Sequence, residues 1–206
     1  MNGMKDIYSD KRPLLEAQAK ELMEIIDSFR AELTHRYGDD PVEHVECRIK
    51  SDESMREKLR RKGLEETTEN ALYVLHDAIG VRVVCSFLKD VYAVRDHLVK
   101  LPGFEAAQEK DYIRHVKSNG YRSYHLILRC HGDLYAEIQI RTISMDTWAA
   151  LEHHMKYKRS LNDNNALIVS ELKRCADELA STDLSMQTIR DMIVEEEMSN
   201  HEDTAG

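Results

Sequence analysis

Residues 124–142, YHLILRCHGDLYAEIQIRT, decide the fold. Both halves are rich in β-branched and aromatic residues, and His131-Gly132-Asp133 between them is a compact turn, so the stretch predicts an antiparallel hairpin with strands over 124–130 and 134–142. Along AEIQIRT, alternation sends Ala136, Ile138 and Ile140 to one face and Glu137, Gln139 and Arg141 to the other. The first face is core. The second carries an acid, an amide and a guanidinium in a row, which suits either solvent or a ligand.

Working outward, VRVVCSF (81–87) and the stretch 104–113 read as further strands, with a helix over 90–101 between them. Upstream, an extended piece over 44–50 leads to a helix over 51–62, opened by Ser51 and closed by Gly63, and then to a short helix over 69–76. Leu15, Leu22, Ile26, Phe29 and Leu33 recur at helical spacing within 14–37, and Gly38 and Pro41 stop that helix. Helices over 145–158 and 164–197 follow the hairpin. The expected class is α+β, a mixed β-sheet flanked by helices with amphipathic helices at both ends. At 206 residues the chain fits one domain, 1–206, with a core over about 41–158.

No apolar run approaches the roughly 18 residues of a membrane helix, and MNGMKDIYSDKR lacks a secretory apolar region, so a cytoplasmic protein without membrane association is expected. Cys47, Cys85, Cys130 and Cys175 form no CxxC pair, which argues against a zinc clamp or disulfide framework. A net charge of −9 disfavours coating of nucleic acid, so RNA binding is not expected and local basic clusters stand out as sites. Within the basic run 56–62, Lys58 and Arg61 share a helical stripe with Ser54, beside the apolar Met55 and Leu59. That row suits a polyphosphate or plain solvent. Asp77 stands at the entrance to strand 81–87, where a carboxylate can hold Mg²⁺ or end a helix. His76-Asp77 looks like the metal pair of HD-type phosphohydrolases, but strands follow where that site needs helices. KDYIRHVKSNGYRSYH (110–125) sets Lys110, Arg114, Lys117 and Arg122 around an Asn119-Gly120 turn, with Tyr112, Tyr121 and Tyr124 interleaved. Cations with aromatic faces suit a nucleotide, and a basic hairpin has the same composition.

Taken in chain order, RIKSDESMREKLRRK (48–62), HDAIGVRVVCSF (76–87), KDYIRHVKSNGYRSYH, AEIQIRT and WAALEHHMKYK (148–158) resemble the synthetase domain of RelA/SpoT-type alarmone synthetases, in the short single-domain form. The resemblance implies a nucleotidyltransferase-like fold and transfer of the β,γ-pyrophosphate of ATP to the ribose 3′-OH of GDP or GTP, with release of AMP. It implies Asp77 and Glu137 as catalytic Mg²⁺ ligands, Glu137 also as candidate base for the 3′-hydroxyl. It implies ATP at Arg48, Lys50, Ser54, Lys58, Arg61 and Arg82, the two outer arginines on adenine. It places the acceptor guanine on Tyr121, with Lys117, His125 and Gln139 nearby. His44 and Glu46 stand where several relatives carry an aromatic and a small polar residue near a regulatory nucleotide site, and Lys156 where an asparagine is common. Product-stimulated regulation is therefore not among the expectations. Two other functions use similar ingredients: a toxic relative acting on adenosine nucleotides or the tRNA 3′ end, and a non-catalytic nucleotide- or RNA-binding regulator.

The C-terminal helix carries a heptad seam, Ile168, Leu172, Cys175, Leu179, Thr182, Met186, Ile189 and Ile193. Together with the N-terminal stripe it predicts a homo-oligomer, a tetramer by the resemblance, with both helices at the subunit contacts.

Overall fold

The computed structural model describes residues 6–38, 40–159 and 166–204. Its centre is a five-stranded sheet: β1 (Val42–Ile49), β2 (Ile79–Cys85), β3 (Glu105–Asp111), β4 (Tyr124–Arg129) and β5 (Tyr135–Thr142) in the order β1-β2-β5-β4-β3. β4 and β5 form the expected antiparallel hairpin, turned by Gly132 and Asp133 at φ 68° and 61°. β1 and β3 pair antiparallel at the edges, while β2 and β5 run parallel, so the sheet is mixed as expected.

Alternation sorts the sheet into two faces. Ile79, Val81, Val83, Leu126, Leu128, Ala136, Ile138 and Ile140 are all buried in the core. Helices α1 (Arg12–Tyr37) and α3 (Leu88–Leu98) belong to that core, and Phe29 of α1 stacks on His97 of α3 at 4.0 Å. Leu15, Leu22 and Ile26 are at most 1% exposed, each contributing roughly 1.5–3 kcal/mol by burial. The N-terminal stripe therefore closes the chain's own core. The apolar stripe that suggested a subunit contact is thus taken up within the chain itself.

Helix α2 (Asp52–Lys62) begins where the Ser51 hydroxyl accepts the Ser54 N–H at 3.3 Å and ends at Gly63, φ 68°, as its sequence signals predict. The expected helix over 69–76 is a single wide π turn, Asn70–Val74, that buries Ala71 and Leu72. So few residues cannot nucleate a regular helix, and packing decides their shape. His76 then adopts φ 59° and stacks on Tyr135 at 3.9 Å, delivering Asp77 to the start of β2. Helix α3 starts at Leu88, earlier than expected, because the Asp90 carboxylate accepts the Phe87 N–H at 3.2 Å.

Helices α4 (Ile143–Arg159) and α5 (Ala166–Thr204) complete the chain. The heptad seam of α5 is split. Ile168, Leu172 and Leu179 are half-buried on their own chain, whereas Met186, Ile189 and Ile193 are about half exposed at 48%, 49% and 51%. The inward side of α5 is small or polar instead: Ala176 is buried, Gln187 accepts the Lys89 N–H at 2.9 Å, Asp183 accepts the Thr142 hydroxyl at 2.6 Å, and Arg190 donates to Asp90 at 2.8 Å. No described helix is long and apolar enough to cross a membrane.

Candidate active site

The register of the sheet draws two rows of side chains across its polar face. Glu46, Arg82, Gln139, His125 and Lys110 are successive partners on β1, β2, β5, β4 and β3, and Arg48, Gly80, Glu137, Ile127 and Gln108 form the adjacent row. Two clefts open over these rows. One is lined by Arg48, Lys50, Asp77, Arg82, Glu137 and Gln139, the other by Lys110, Tyr112, Lys117, His125 and Glu137. Glu137 belongs to both.

Asp77 is 7% exposed. Its Oδ2 accepts Lys58 Nζ at 2.6 Å and also pairs with Lys50 Nζ, while its buried Oδ1 has no hydrogen-bond partner among the described residues. An unpartnered buried carboxylate oxygen is costly unless something else binds it. No described group of three or more His, Cys, Asp or Glu side chains could hold a metal alone. Two carboxylates, Asp77 and Glu137, facing a cleft that can supply phosphate oxygens are the donor set Mg²⁺ prefers, so the residues fit that ion.

The Lys50 corner is braced by residues the sequence did not single out. Tyr8 is fully buried and donates its hydroxyl to the Lys50 carbonyl at 2.8 Å, and the Ile7 N–H donates to Asp52 Oδ1 at 2.6 Å. Burial pushes the Tyr8 pKa well above the ordinary phenol value, so it remains a donor.

Glu137 Oε1 accepts from His125 Nδ1 at 3.2 Å, and its Oε2 lies 3.4 Å from the Gln139 amide nitrogen. The His125 hydrogen bond, with the nearby positive charge of Lys58, outweighs burial and lowers the Glu137 pKa to about 2. Behind it runs a chain of consistent polarity: Arg141 donates to the Tyr121 hydroxyl at 2.8 Å, and that hydroxyl meets His125 Nε2 at 2.8 Å. With Nδ1 donating to Glu137, Nε2 is the acceptor and the Tyr121 O–H the donor, a tautomer assigned from the hydrogen-bond pattern. Arg141, 5% exposed, also donates to Gln139 Oε1 at 2.5 Å and to Asp146 Oδ1 at 3.1 Å. Asp146 Oδ1 in turn lies 3.5 Å from Arg82 Nε. Asp146 escaped the sequence reading; the signal for it is that α4 begins one residue after β5, which folds its first turn back over Arg141.

Of the other expected site residues, Arg48, Arg82, Gln139, Lys117 and His125 line one cleft or the other, whereas Ser54, Lys58, Arg61 and Tyr121 line neither. Ser54 is exposed and its hydroxyl accepts from Ser51 at 2.9 Å, and Arg61 and Arg48 are exposed and form no ion pair among the described residues. Arg82 also pairs with Glu46 at 3.3 Å. Lys117 Nζ lies 4.8 Å from the Tyr121 ring centre and 4.3 Å from that of Tyr112. Of the four cations around the 119–120 turn, only Lys110 and Lys117 line the second cleft. Arg114 lies over Tyr92 at 5.2 Å, and Arg122 reaches Asp177 on α5 at 2.7 Å. His44 is exposed, and the side chain of Lys156 lies outside the described residues.

Residues 47–162 match the family described as the region found in RelA / SpoT proteins. The chain is 40% identical over 189 residues to GTP pyrophosphokinase YwaC of Bacillus subtilis, covering 86% of this chain and 89% of that protein. It is 34% identical over 170 residues to GTP pyrophosphokinase YjbM of the same organism, covering 78% and 79%. Among solved structures, small alarmone synthetase 1 from Bacillus subtilis bound to its product pppGpp superposes with a TM-score of 0.76 at 30% identity, covering 87% of this chain and 94% of that one. Small alarmone synthetase 2 from the same organism gives 0.72 at 36% identity, over 88% and 98%. With a family match over more than half its length, and relatives aligned nearly end to end, the chain belongs to the RelA/SpoT family.

Proposed function

We propose that the chain is a GTP pyrophosphokinase that transfers the β,γ-pyrophosphate of ATP to the ribose 3′-OH of GDP or GTP, releasing AMP and forming ppGpp or pppGpp. The observation that carries this reading is Glu137 in the wall shared by two cleft regions, one framed by Arg48, Lys50 and Arg82, the other by Lys110, Lys117 and Tyr112. Two nucleotides bound on either side of one carboxylate bring a donor phosphate and an acceptor hydroxyl to the same point, which is most of what phosphoryl-type transfer asks of a protein.

In this reading ATP occupies the first cleft. Arg48 and Arg82 stack on adenine with their guanidinium planes, and Lys50, Ser54, Lys58 and Arg61 hold the phosphates. Asp77 and Glu137 hold Mg²⁺, which when bound neutralises the polyphosphate and polarises the reacting oxygens. The acceptor occupies the second cleft with guanine on Tyr121 and its phosphates towards Lys117, while His125 and Gln139 orient Glu137. A carboxyl held near a pKa of 2 is ionised at any working pH. It suits metal ligation and accepts a hydrogen bond from the 3′-hydroxyl, but is a poor store for the proton. The whole chain, 1–206, acts as one synthetase unit in the cytoplasm.

Incubation with labelled ATP, Mg²⁺ and one acceptor at a time tests this. GDP and GTP are expected to yield AMP with a tetra- or pentaphosphate, and ADP or tRNA to yield no product. AMP formed only with adenosine nucleotides or tRNA would point to the toxic branch, and binding without AMP would point to a regulator.

The assembly in this reading is a homotetramer joined through α5 alone. Met186, Ile189 and Ile193 form an exposed apolar stripe with Met192, whereas Leu179 lines a crevice against Trp148 of the same chain. Met186→Glu with Ile189→Glu is expected to dissociate the oligomer without unfolding the subunit, because burying each unpaired carboxylate costs several kcal/mol. Light scattering at micromolar concentration checks it, and an unchanged mass in the double variant would exclude this stripe from the interface.

A further inference from the structure

Gly120 packs the 117–121 turn against helix α5. It has φ +93°, and a Cβ built there would lie 2.8 Å from the Ala176 Cβ and 3.0 Å from the Lys173 Cα. Both the conformation and the contact exclude a side chain. The turn is closed by the Gly120 N–H donating to the Lys117 carbonyl at 2.8 Å. Arg122 fastens it to the helix, donating to the Gly120 carbonyl at 3.1 Å with one nitrogen and to Asp177 Oδ1 at 2.7 Å with another. Asn119 reaches α4 at Glu152, 3.3 Å away. The same few residues that bring Lys117 to the second cleft, and set Tyr121 beside its lining residues Tyr112 and His125, thus rest with their tip on α5.

We infer that Ala176 and Asp177 of α5 are positioning residues for the acceptor nucleotide: by seating Gly120 and anchoring Arg122 they set where Tyr121 and Lys117 stand. The inference rests on the proposed acceptor role of Tyr121. Neither α5 residue lines either cleft, and neither touches the residues assigned to ATP. Their effect therefore falls first on the acceptor, and α5 becomes part of the catalytic unit as well as of the assembly.

The test is steady-state kinetics of the full chain with ATP and GDP or GTP. Asp177→Ala is expected to raise the acceptor KM about threefold, the scale of a partly exposed ion pair, and Ala176→Leu by roughly tenfold or more, the scale of overpacking. The KM for ATP stays unchanged, and Asp177→Glu restores the acceptor KM. Tyr121→Ala, as reference, is expected to raise it roughly 5- to 150-fold, the scale of base stacking on an aromatic. If Tyr121→Ala does so while both α5 variants leave the acceptor KM alone, or shift both KM values equally, the inference is overturned and the acceptor site stands. If Tyr121→Ala leaves the acceptor KM unchanged, the acceptor reading fails and takes the inference with it.

Discussion

Glu137→Gln is expected to lower AMP formation on the order of 10³-fold or more while the far-UV circular dichroism of the folded protein stays the same. The amide keeps the size and one acceptor oxygen of the carboxylate, so His125 can still donate to it, but the negative charge needed for metal and for the 3′-hydroxyl is gone. Retention of more than about a hundredth of wild-type turnover would remove Glu137 from the centre of the reaction. The substitution also has a pH signature. The folded-state pKa of about 2 lies below the ordinary value near 4.3, so the ionised carboxylate contributes stability that is present above pH ~4.3 and lost as pH falls towards 2. Measured without metal, the wild-type protein should melt above the variant at neutral pH, and the gap should close between about pH 4 and 2.

Asp77→Asn should cost activity on a similar scale, on the order of 10²- to 10³-fold, but with a different stability profile. Asp77 Oδ2 is shared by Lys50 and Lys58, whose side chains are 21% and 23% exposed. Neutralising it leaves two partly buried ammonium groups facing one another without the carboxylate they share, a change that destabilises more than the loss of one surface pair. A lowered melting temperature, partly recovered by adding Lys58→Met, is the expected pattern. Activity above about a tenth of wild type would show that Asp77 does not hold metal, and a variant as stable as the parent that it does not organise the two lysines.

The legible parts of this molecule were those written in local periodicity. The alternation of AEIQIRT placed Glu137, Gln139 and Arg141 on one face because side chains on a strand repeat every two residues whatever surrounds them. Ser51 and Gly63 bounded α2 because capping is settled within a turn of the helix. What escaped was set by contacts between distant segments. No local pattern says that Gly80 lies beside Glu137, that Asp146 bridges Arg82 and Arg141, or that Tyr8 braces Lys50. Arg122 is instructive, since its neighbours are nucleotide-site candidates and its charge suggested the same, yet its partner is Asp177 on a helix far along the chain. Two apolar stripes also looked equivalent in sequence, although α1 spends its stripe on the core and α5 leaves part of its own exposed, because only the packed sheet reveals how much surface it can cover.

β2 and β5 lie side by side in parallel although α3, β3 and β4 separate them in the chain. A hairpin can zip from its turn, but a parallel pair has no local nucleus and must wait for a long loop to close. Bringing the segment of Asp77 to that of Glu137 therefore closes a much longer loop, at a larger entropy cost, than zipping the β4–β5 hairpin. A chain that ends before Tyr135 holds Asp77 and the donor-side lysines but neither β5 nor Glu137, so half of the polar face is missing and the two carboxylates cannot be brought together.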